Sequence, residues 1–512
     1  MRTLLLTAIL SFCFLFSKAL NGGKSKIKNY NIARFSGKIK SNRDGDSLRV
    51  MYEPRIVSAY GTAIADTSIT HSTYFYIPVQ KNGTFRFKLE NVGSIGRMYL
   101  TFKRGQEYIQ IGGRYMVERG DNITLSINIH DSLASARFFG SNSAKYTCVD
   151  SILANYDDEL ISISNSIGMK YKERSFNYFF ELNKNLKSLK EKKKSDLKYF
   201  KNQISENVYT MCDFEIESIA DFKYCIILGY NYFNNSQDSL KEKIKRYYLD
   251  SCQFKIDINS ANFKKILPVN FYAIYYLIIN TAINIGLETD DLPSITNVYD
   301  RMKKMYSGAV LDKILTVLTF DTFVHLHLFC IKFTSDQIDS CLLQADKIVK
   351  TDYLLALLRE QLVLVKGYDA YDFHLKDTSG NIIRMSDFRG KTVMIDAWYT
   401  GCTGCAMFYK FFTDSVESEF RADSNFKVIS ICADVSESQW KKSIYSGKYT
   451  NPRQINLFAN GFYSDYFNHY HPTGMPFIIF VDKHGKIATS IKDYFYSEMV
   501  IADQIRKALE IE

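Results

Sequence analysis

The sequence is poor in the residues that make flexible linkers and membrane spans. Only 7 of its 512 residues are proline, and no long low-complexity segment interrupts it. Beyond the first twenty residues it has no run of about 18 uninterrupted apolar residues, which is the length that crosses a bilayer. We therefore expect several packed domains and no internal membrane span. Domains typically contain roughly 100–200 residues, so a chain of this length should form about three.

The sequence also lacks a large excess of charge of one sign and a regular spacing of cysteines. The formal net charge is only +10, and the lysines are spread along the chain, which is more typical of solvated helix faces than of nucleic-acid binding. Ten cysteines occur without a regular spacing and with a single CxxC pair. Most of the scattered cysteines are interpreted as buried thiols. Nine follow the leader described next, so at least one must be unpaired in the monomer.

The first 19 residues have the pattern of a secretory signal peptide. Arg2 precedes the apolar run Leu4–Phe16, and small residues lead to a cleavage site after Ala19. Lipoprotein processing at Cys13 is an alternative, but the bulky Phe12 before it and the apolar residues after it argue against this reading. The mature protein is expected to be exported.

Residues 20–140 are predicted to form an antiparallel β-sandwich. Short segments rich in β-branched and aromatic residues are separated by turn sequences such as NRDGDS and QKNGT. The six predicted strands are RFSGKIK, SLRVMY, TYFYIPV, TFRFKLE, RMYLTFK and ITLSINI. A binding domain and a simple spacer are equally compatible with this pattern.

Residues 141–366 are predicted to be α-helical. Leucines, lysines and aromatic residues recur at intervals of three and four, as in NKNLKSLKEKKKSDLKYF and LLALLREQLVLVKG. The lysine run between Lys184 and Lys201 is interpreted as the solvated face of one helix. We expect this region to position or dimerise the domain that follows.

Residues 367–512 alternate strand and helix patterns in the order β-α-β-α-β-β-α, which predicts a mixed sheet covered by helices. The apolar strand TVMIDAW leads directly into WYTGCTGC, where Cys402 and Cys405 form the CxxC pair. A zinc site would need two further ligands. The candidates are Cys432, inside a predicted strand, and His469 and His471, roughly 65 residues downstream, and this arrangement does not favour a metal.

A CxxC pair at a strand-to-helix junction favours redox chemistry instead. The first sulfur then lies at the helix N-terminus, where unpaired N–H groups and the helix dipole stabilise a thiolate. The second sulfur lies one turn later and is positioned to resolve a mixed disulfide. This assigns Cys402 as the nucleophile and Cys405 as the resolving cysteine.

The stretch DAWYTGCTGC resembles the active-site segment of the thioredoxin superfamily. The wider pattern MSDFRGK…VMIDAW…GCTGC…VDKHGKI is most similar to exported thiol–disulfide oxidoreductases of the TlpA and ResA type, over Tyr368 to Glu512. The pattern of strand-forming and then helix-forming residues upstream resembles the N-terminal extensions of bacterial envelope proteins that carry such a domain. The resemblance implies a protein of the periplasm or cell envelope of a Gram-negative bacterium, acting in roles such as cytochrome maturation or antioxidant defence. It implies protein thiol or disulfide clients, a membrane electron donor and no cofactor.

The resemblance also implies roles for residues outside the CxxC pair. Asp396 matches the buried acid that helps to deprotonate the resolving cysteine, although a solvent-facing Asp at a strand end is the structural alternative. Trp398 matches the aromatic residue that packs against the motif. Pro476 matches the family's cis-proline, and Met475 would offer its backbone to an incoming peptide.

The sequence departs from the family's pattern in three ways: Gly401 replaces a Trp before the first cysteine, Thr403-Gly404 replaces a proline-containing pair, and Phe477 replaces a Thr after the proline. The resemblance therefore determines neither the residues at the rim of the client groove nor the direction of electron flow. A peroxiredoxin-like enzyme is an alternative, but neither cysteine has the Pro-x-x-x-Thr-x-x context. A non-catalytic envelope scaffold is a second alternative.

Overall fold

A computed structural model describes residues 31–40, 42–56, 73–105, 107–130, 133–171, 175–234, 238–251, 257–320, 331–472, 475–490 and 498–511. The predicted signal peptide, Cys13, Cys252 and Cys330 lie outside these residues. In the described part of the chain, a strand-rich region is followed by a helical region and then by a mixed α/β region. No helix in those ranges has both the length and the apolarity to cross a membrane.

The strand-rich region forms two four-stranded sheets, with strand orders β4-β1-β7-β8 and β3-β2-β5-β6. Buried and exposed residues alternate along strands such as β7, as expected for a sheet with one covered face. The strands are β1 (Ala33–Lys40), β2 (Ser47–Glu53), β3 (Thr73–Pro78), β4 (Thr84–Leu89), β5 (Gly96–Arg104), β6 (Glu107–Val117), β7 (Asn122–His130) and β8 (Leu133–Phe139).

Two features of this region differ from the sequence prediction. Strands β1 and β7 pair in parallel, so the arrangement is not purely antiparallel. A parallel pair cannot be closed by a tight hairpin, and the pairing joins segments too far apart in the chain for local patterns to reveal. Strands β6 and β8 were not predicted. Gly112 (φ +59°) and Gly113 interrupt the apolar alternation of β6, and β8 is mostly exposed.

The helical region contains α1 to α11 and confirms the predicted amphipathic pattern. The lysine run on α3 is only partly solvated, however. Lys190 lies 2.7 Å from Glu217, and the almost fully buried Lys193 lies 2.7 Å from Glu159. The helices are α1 (Ala144–Ile152), α2 (Tyr156–Lys170), α3 (Phe176–Phe200), α4 (Glu206–Phe233), α5 (Asp238–Ser251), α6 (Ala261–Ile266), α7 (Tyr272–Thr289), α8 (Ile295–Met305), α9 (Gly308–Phe320), α10 (Ser335–Ile348) and α11 (Asp352–Leu362).

The strands and these helices share one apolar core, which extends from Ala33 to Val365. Buried ion pairs cross the boundary between them. Arg97 on β5 pairs with Glu215 on α4, and the Lys145 ammonium on α1 lies 2.7 Å from Asp121, just before β7. Both pairs fix helices directly against strands, so the two regions form one packed unit.

The C-terminal region is built on a seven-stranded mixed sheet with the order β10-β9-β13-β12-β11-β14-β15. The predicted mixed sheet is confirmed, and the order β-α-β-α-β-β-α lacks the short strands β9, β10 and β13 and the short helix α15. Its strands are β9 (His374–Asp377), β10 (Ile382–Arg384), β11 (Thr392–Trp398), β12 (Phe426–Cys432), β13 (Ile455–Phe458), β14 (Phe477–Val481) and β15 (Ile487–Ser490). Its helices are α12 (Thr403–Phe411), α13 (Glu417–Phe420), α14 (Glu437–Ser446), α15 (Asp465–Tyr470) and α16 (Glu498–Leu509).

The central strand β11 sorts its side chains between two layers. Val393, Ile395 and Ala397 join one apolar cluster, while Met394 and Trp398 join clusters on the face that α12 covers. Because side chains alternate along a strand, Asp396 faces the α12 layer. Strands β11, β12 and β13 are parallel, so the loops after them meet at one edge of the sheet.

The connector between the two units packs on the C-terminal sheet before the first strand of that sheet begins. Leu364 belongs to a C-terminal apolar cluster. Gly367 donates a backbone hydrogen bond to Ile487 at 2.8 Å, and Ala370 donates one to Gly485 at 3.0 Å. The C-terminal unit therefore takes in residues on both sides of position 367.

Candidate active site

Cys402 and Cys405 form a disulfide at the junction of β11 and α12. Cys402 is the N-cap residue of α12, and its sulfur accepts a hydrogen bond from the Cys405 backbone N–H at 3.0 Å. Cys402 is 5% exposed and Cys405 only 1%. A sulfur at an N-cap receives an N–H group that has no partner inside the helix, so the fold offers Cys402 a thiolate-stabilising position once the disulfide is reduced.

The Met475–Pro476 segment lies against this helix turn. Its peptide bond is cis. A Cβ placed on Gly404 would be 3.4 Å from the Met475 carbonyl oxygen and 3.5 Å from the Pro476 ring. The absence of a side chain at Gly404 lets the two segments approach closely. The structure thus brings Met475 and Pro476 beside the dithiol, where the resemblance placed them.

Asp396 is buried beneath α12 and is not a solvent-facing strand-end residue. It pairs in the sheet with Ser430 on one side and Ile478 on the other. Its Oδ1 atom is buried and has no hydrogen-bond partner within the described residues. Burial raises the pKa of this carboxyl to about 8 because a charged group loses its hydration in the protein interior. The group can therefore gain or lose a proton near neutral pH.

Trp398 is fully buried at the end of β11. Its indole N–H donates to the Ser430 hydroxyl at 2.7 Å. Its ring stacks on Tyr449 with 5.0 Å between centroids and 8° between planes. Trp398 thus supports the dithiol from below, and with so little exposed surface it does not offer its face to a client.

Three residues that the sequence analysis missed hold the turn before Cys402. Asp434 accepts from the Thr400 backbone N–H at 2.9 Å, and Ser443 shares a hydrogen bond with the Thr400 hydroxyl at 2.7 Å. Tyr449 accepts from the Gly401 N–H at 2.9 Å. No local motif marks these three residues, because they come from loops and a helix that only the folded sheet brings together.

The other cysteines near the site are not equivalent to the dithiol. Cys432 packs in the same buried cluster as Cys402 and Cys405, but burial raises the pKa of its thiol well above the ordinary value. His469, considered above for zinc, stacks on Tyr371 with 4.5 Å between ring centroids. Within the described ranges, no group of three His, Cys, Asp or Glu side chains is arranged to hold a metal ion.

An exposed apolar rim borders the dithiol at the carboxyl edge of β11, β12 and β13. It consists of Tyr399, Val435, Phe462 and Tyr463, of which Tyr463 is 93% exposed. Tyr399 and Phe462 meet edge to face at 5.8 Å. Ligands of α/β proteins bind at this end of parallel strands, and the rim lies at that end of the sheet.

Residues 367–501 match the family model described as the AhpC/TSA family, and no curated protein matches the chain. Among solved structures, the chain is similar to the thioredoxin domain of a thiol-disulfide oxidoreductase from Bacteroides vulgatus, with 26% identity over 28% of this chain and 97% of that one and a TM-score of 0.25. It is similar to a thiol:disulfide interchange protein from a Bacteroides species, with 28% identity over 28% and 90% of the two chains and a TM-score of 0.24. It is also similar to a putative thiol:disulfide interchange protein DsbE from Chlorobium tepidum, with 22% identity over 28% and 98% of the two chains and a TM-score of 0.25.

Proposed function

Because residues 367–501 form a thioredoxin-like domain of the AhpC/TSA family, we propose that the protein is an exported thiol–disulfide oxidoreductase that acts on protein clients. One observation carries the proposal: a CxxC disulfide caps α12, which covers the face of β11 that carries the buried Asp396 carboxyl, and the Oδ1 atom of this carboxyl has no hydrogen-bond partner within the described residues. Buried titratable groups with shifted pKa values concentrate at functional sites. A purely structural disulfide would not need the carboxyl beneath it.

In the reductive direction, the Cys402 thiolate attacks a client disulfide. One client sulfur leaves as a thiolate, and the other remains bound to Cys402 as a mixed disulfide. Asp396 in its carboxylate form then accepts the proton of the Cys405 thiol, through solvent where needed. The Cys405 thiolate attacks Cys402, the second client sulfur leaves with the bonding electron pair, and the enzyme disulfide forms again. Two electrons have passed to the client, and the reverse sequence oxidises a client.

The pKa of Asp396 suits both directions. With a value of about 8, the carboxyl is mainly protonated at pH 7 and still has a minor carboxylate fraction. The acid form can return a proton to Cys405, and the base form can remove one. We expect client reduction to accelerate as the pH rises from 6 to 8.

The environment of the reaction is part of the same proposal. The pattern at residues 1–19 directs export to the periplasm or cell envelope of a Gram-negative bacterium, where a membrane protein supplies electrons to the dithiol. Met475 offers its backbone to an extended client segment, with Pro476 beside it and Trp398 supporting the turn. The strand and helix regions position the C-terminal unit or pair it with a second copy of the chain.

The test is reduction of insulin by dithiothreitol, followed by turbidity, together with trapping of clients. We expect the wild type to accelerate turbidity and Cys402→Ser to abolish that acceleration. Cys405→Ser should accumulate a mixed disulfide on a non-reducing gel, because serine cannot resolve it. Trapping by Cys402→Ser instead would reverse the two roles. Wild-type rates in both variants would remove the dithiol from the function.

The family match also favours a second candidate, a peroxide-reducing enzyme. In that case the Cys402 thiolate would attack a hydroperoxide, the O–O bond would break, and an alcohol or water would leave while Cys402 becomes a sulfenic acid. The Cys405 thiol would then displace water from that sulfenic acid and form the same disulfide. Hydrogen peroxide consumption with dithiothreitol as the reductant separates the two. Fast peroxide loss with no insulin reduction would favour the peroxidase. The absence of both activities would favour a non-catalytic scaffold.

A further inference from the structure

Tyr449 reaches the dithiol from outside the CxxC motif. It follows α14, is buried, and belongs to the same apolar cluster as Cys402 and Cys405. Its ring is fixed by the stack on Trp398, whose indole is held in turn by Ser430. A ring packed in this way has little freedom to turn away from the site, so its hydroxyl group has a defined place.

The hydrogen bonds of the Tyr449 hydroxyl are incomplete. The oxygen accepts from the Gly401 N–H at 2.9 Å. A tyrosine hydroxyl also has one hydrogen to donate, and no acceptor for it lies within hydrogen-bond distance in the described part of the chain. A buried donor without an acceptor costs free energy, so an acceptor that arises during the reaction cycle would relieve that cost.

The hydroxyl is held close to the start of α12. Its hydrogen bond comes from Gly401, the residue directly before Cys402, and the φ of +98° at that position is one that glycine adopts readily. The Cys402 sulfur receives one donor, the Cys405 N–H, and a thiolate can accept more than one.

We propose that Tyr449 donates its hydroxyl hydrogen to the Cys402 thiolate in the reduced protein. The inference rests on the proposed redox role of the dithiol and assigns that site a second thiolate donor. The Lys448 ammonium lies over the Tyr449 ring at 5.7 Å and adds positive charge on the same side. The opposing charges are Asp434, which holds Thr400, and Asp396 beneath the helix. Cys432 faces the cluster as a neutral thiol.

Reduction creates the acceptor, because a Cys402 sulfur freed from the disulfide can turn toward the Tyr449 hydroxyl, which it does not meet within hydrogen-bond distance in the oxidised structure. Dithiothreitol supplies two electrons, the bond between the Cys402 and Cys405 sulfurs breaks, and dithiothreitol becomes a cyclic disulfide. Cys402 is left as a thiolate when its proton goes to solvent, and Cys405 is left as a thiol. A disulfide sulfur has no charge and accepts hydrogen bonds weakly. The donor therefore stabilises the reduced protein more than the oxidised one, which raises the reduction potential of the pair.

The experiment compares Tyr449→Phe with the wild type, since phenylalanine keeps the ring and removes only the hydroxyl. Alkylation of Cys402 by iodoacetamide is followed against pH in a Cys405→Ser background. Losing a hydrogen bond to a charged group should raise the pKa of the Cys402 thiol by about one unit and slow alkylation below that pKa by about tenfold. With both cysteines present, a tenfold change in the exchange equilibrium makes the potential more negative by about 30 mV.

Two control variants separate donation from general disturbance of the turn. Tyr445→Phe makes the same chemical change four residues earlier at an 82% exposed position, and we expect wild-type values. Ser443→Ala loosens Thr400 without touching the phenol, and the alkylation profile should keep its midpoint. An unchanged midpoint and potential in Tyr449→Phe would overturn the inference, and so would an equal shift in Ser443→Ala. A wild-type Cys402 without any thiolate reactivity would instead overturn the redox role itself.

Discussion

The two units of this protein differ in how they hold buried ionisable side chains. In the N-terminal unit, formed by β1–β8 and α1–α11, Arg97 pairs with Glu215 and Lys145 with Asp121, while the buried Lys313 ammonium donates to the backbone carbonyls of Leu267 and Asn270. In the C-terminal unit, formed by β9–β15 and α12–α16, Asp396 is buried with no partner for Oδ1 among the described residues. Paired burial holds elements in a fixed arrangement, whereas unpaired burial leaves a group free to exchange a proton.

The cysteines divide in the same way. Cys148, Cys212, Cys225 and Cys341 are buried thiols inside the N-terminal unit, where they pack as small apolar side chains. The C-terminal unit instead places two cysteines at a helix terminus, beside a cis-proline and beneath an exposed apolar rim. If the C-terminal unit carries the exchange chemistry proposed above, substitutions in the two units should have different effects.

Arg97→Met should have the largest effect and should affect the N-terminal unit alone. It leaves the Glu215 carboxyl buried without its cation, which costs about 3–5 kcal/mol. The two tryptophans of the chain, Trp398 and Trp440, both lie in the C-terminal unit. Circular dichroism at 222 nm should therefore show an earlier urea transition, while tryptophan fluorescence keeps its wild-type midpoint.

The control for this prediction is Arg301→Met, which breaks the exposed pair with Glu288. Exposed pairs contribute at most about 1 kcal/mol, so both transitions should stay near those of the wild type. An equal shift of fluorescence and circular dichroism in Arg97→Met would show that the two units unfold together, and the comparison between them would not hold.

Leu364→Ala should reverse that pattern. Leu364 lies in the connector but packs in the core of the C-terminal unit, and removing a buried leucine side chain costs about 3 kcal/mol. The fluorescence transition should move to lower urea while the helical signal changes little. A fragment that begins at residue 363 should likewise be more stable than one that begins at residue 368.

Leu343→Ala is the matched control, because Leu343 on α10 is 37% exposed, whereas Leu364 is buried, and the variant should give transitions close to those of the wild type. If Leu364→Ala lowers the helical transition and leaves fluorescence unchanged, the connector belongs to the N-terminal unit. The boundary between the two units would then lie nearer to Tyr368.

Local patterns explain which features of the fold were predictable. Strand β7 and helix α3 show clear periods of two and of three to four residues, whereas β6 contains two glycines and β8 is mostly exposed. The parallel pairing of β1 with β7 depends on contacts between segments distant in the chain. The predicted solvation of the lysine run failed in part because carboxylates on α2 and α4 approach it only in the folded protein.

The candidate site divides along the same line. Cys402 and Cys405 form a local motif, and Asp396 lies at a fixed short distance before them, so sequence and resemblance could both find them. The cis bond before Pro476 followed from the resemblance alone. The residues that hold the turn, above all Tyr449, were invisible to the sequence, because helix α14 and its following loop meet that turn only through sheet pairing.

Asp396→Asn tests unpaired burial directly. The pKa of this carboxyl is about 8 in the folded chain, against an ordinary value of 3.8. The folded chain thus keeps a proton that the unfolded chain releases, and wild-type stability falls as the pH rises from about 4 to 8. The variant should lose this fall, so its stability relative to the wild type should be greater at pH 8 than at pH 5.

The rate of dithiol–disulfide exchange should fall in Asp396→Asn at the same pH at which its relative stability is greater. Without the proton acceptor that we propose for Cys405, insulin reduction at pH 8 should slow by about a hundredfold, equivalent to about 2.7 kcal/mol. Asp503→Asn, at an exposed position on α16, should change neither property. Identical pH profiles for Asp396→Asn and the wild type between pH 6 and 8 would remove Asp396 from the mechanism.

Cys432→Ala should have the smallest effect, and it tests whether proximity to the dithiol is enough for a role in exchange. Cys432 packs with Cys402 and Cys405, but its thiol lies inside β12 with no exposed surface. Burial also holds its pKa well above the ordinary range, so the thiolate that would attack a mixed disulfide does not form at neutral pH. We expect a loss of about 1 kcal/mol in stability and wild-type insulin reduction.

Cys341→Ala removes a buried thiol of the N-terminal unit and should behave alike, except that its destabilisation appears in circular dichroism and not in fluorescence. The decisive measurement is the double variant Cys405→Ser with Cys432→Ala. If it accumulates more trapped client than Cys405→Ser alone, then Cys432 acts as a second resolving thiol, and burial in the C-terminal unit does not silence a cysteine as it does in the N-terminal unit.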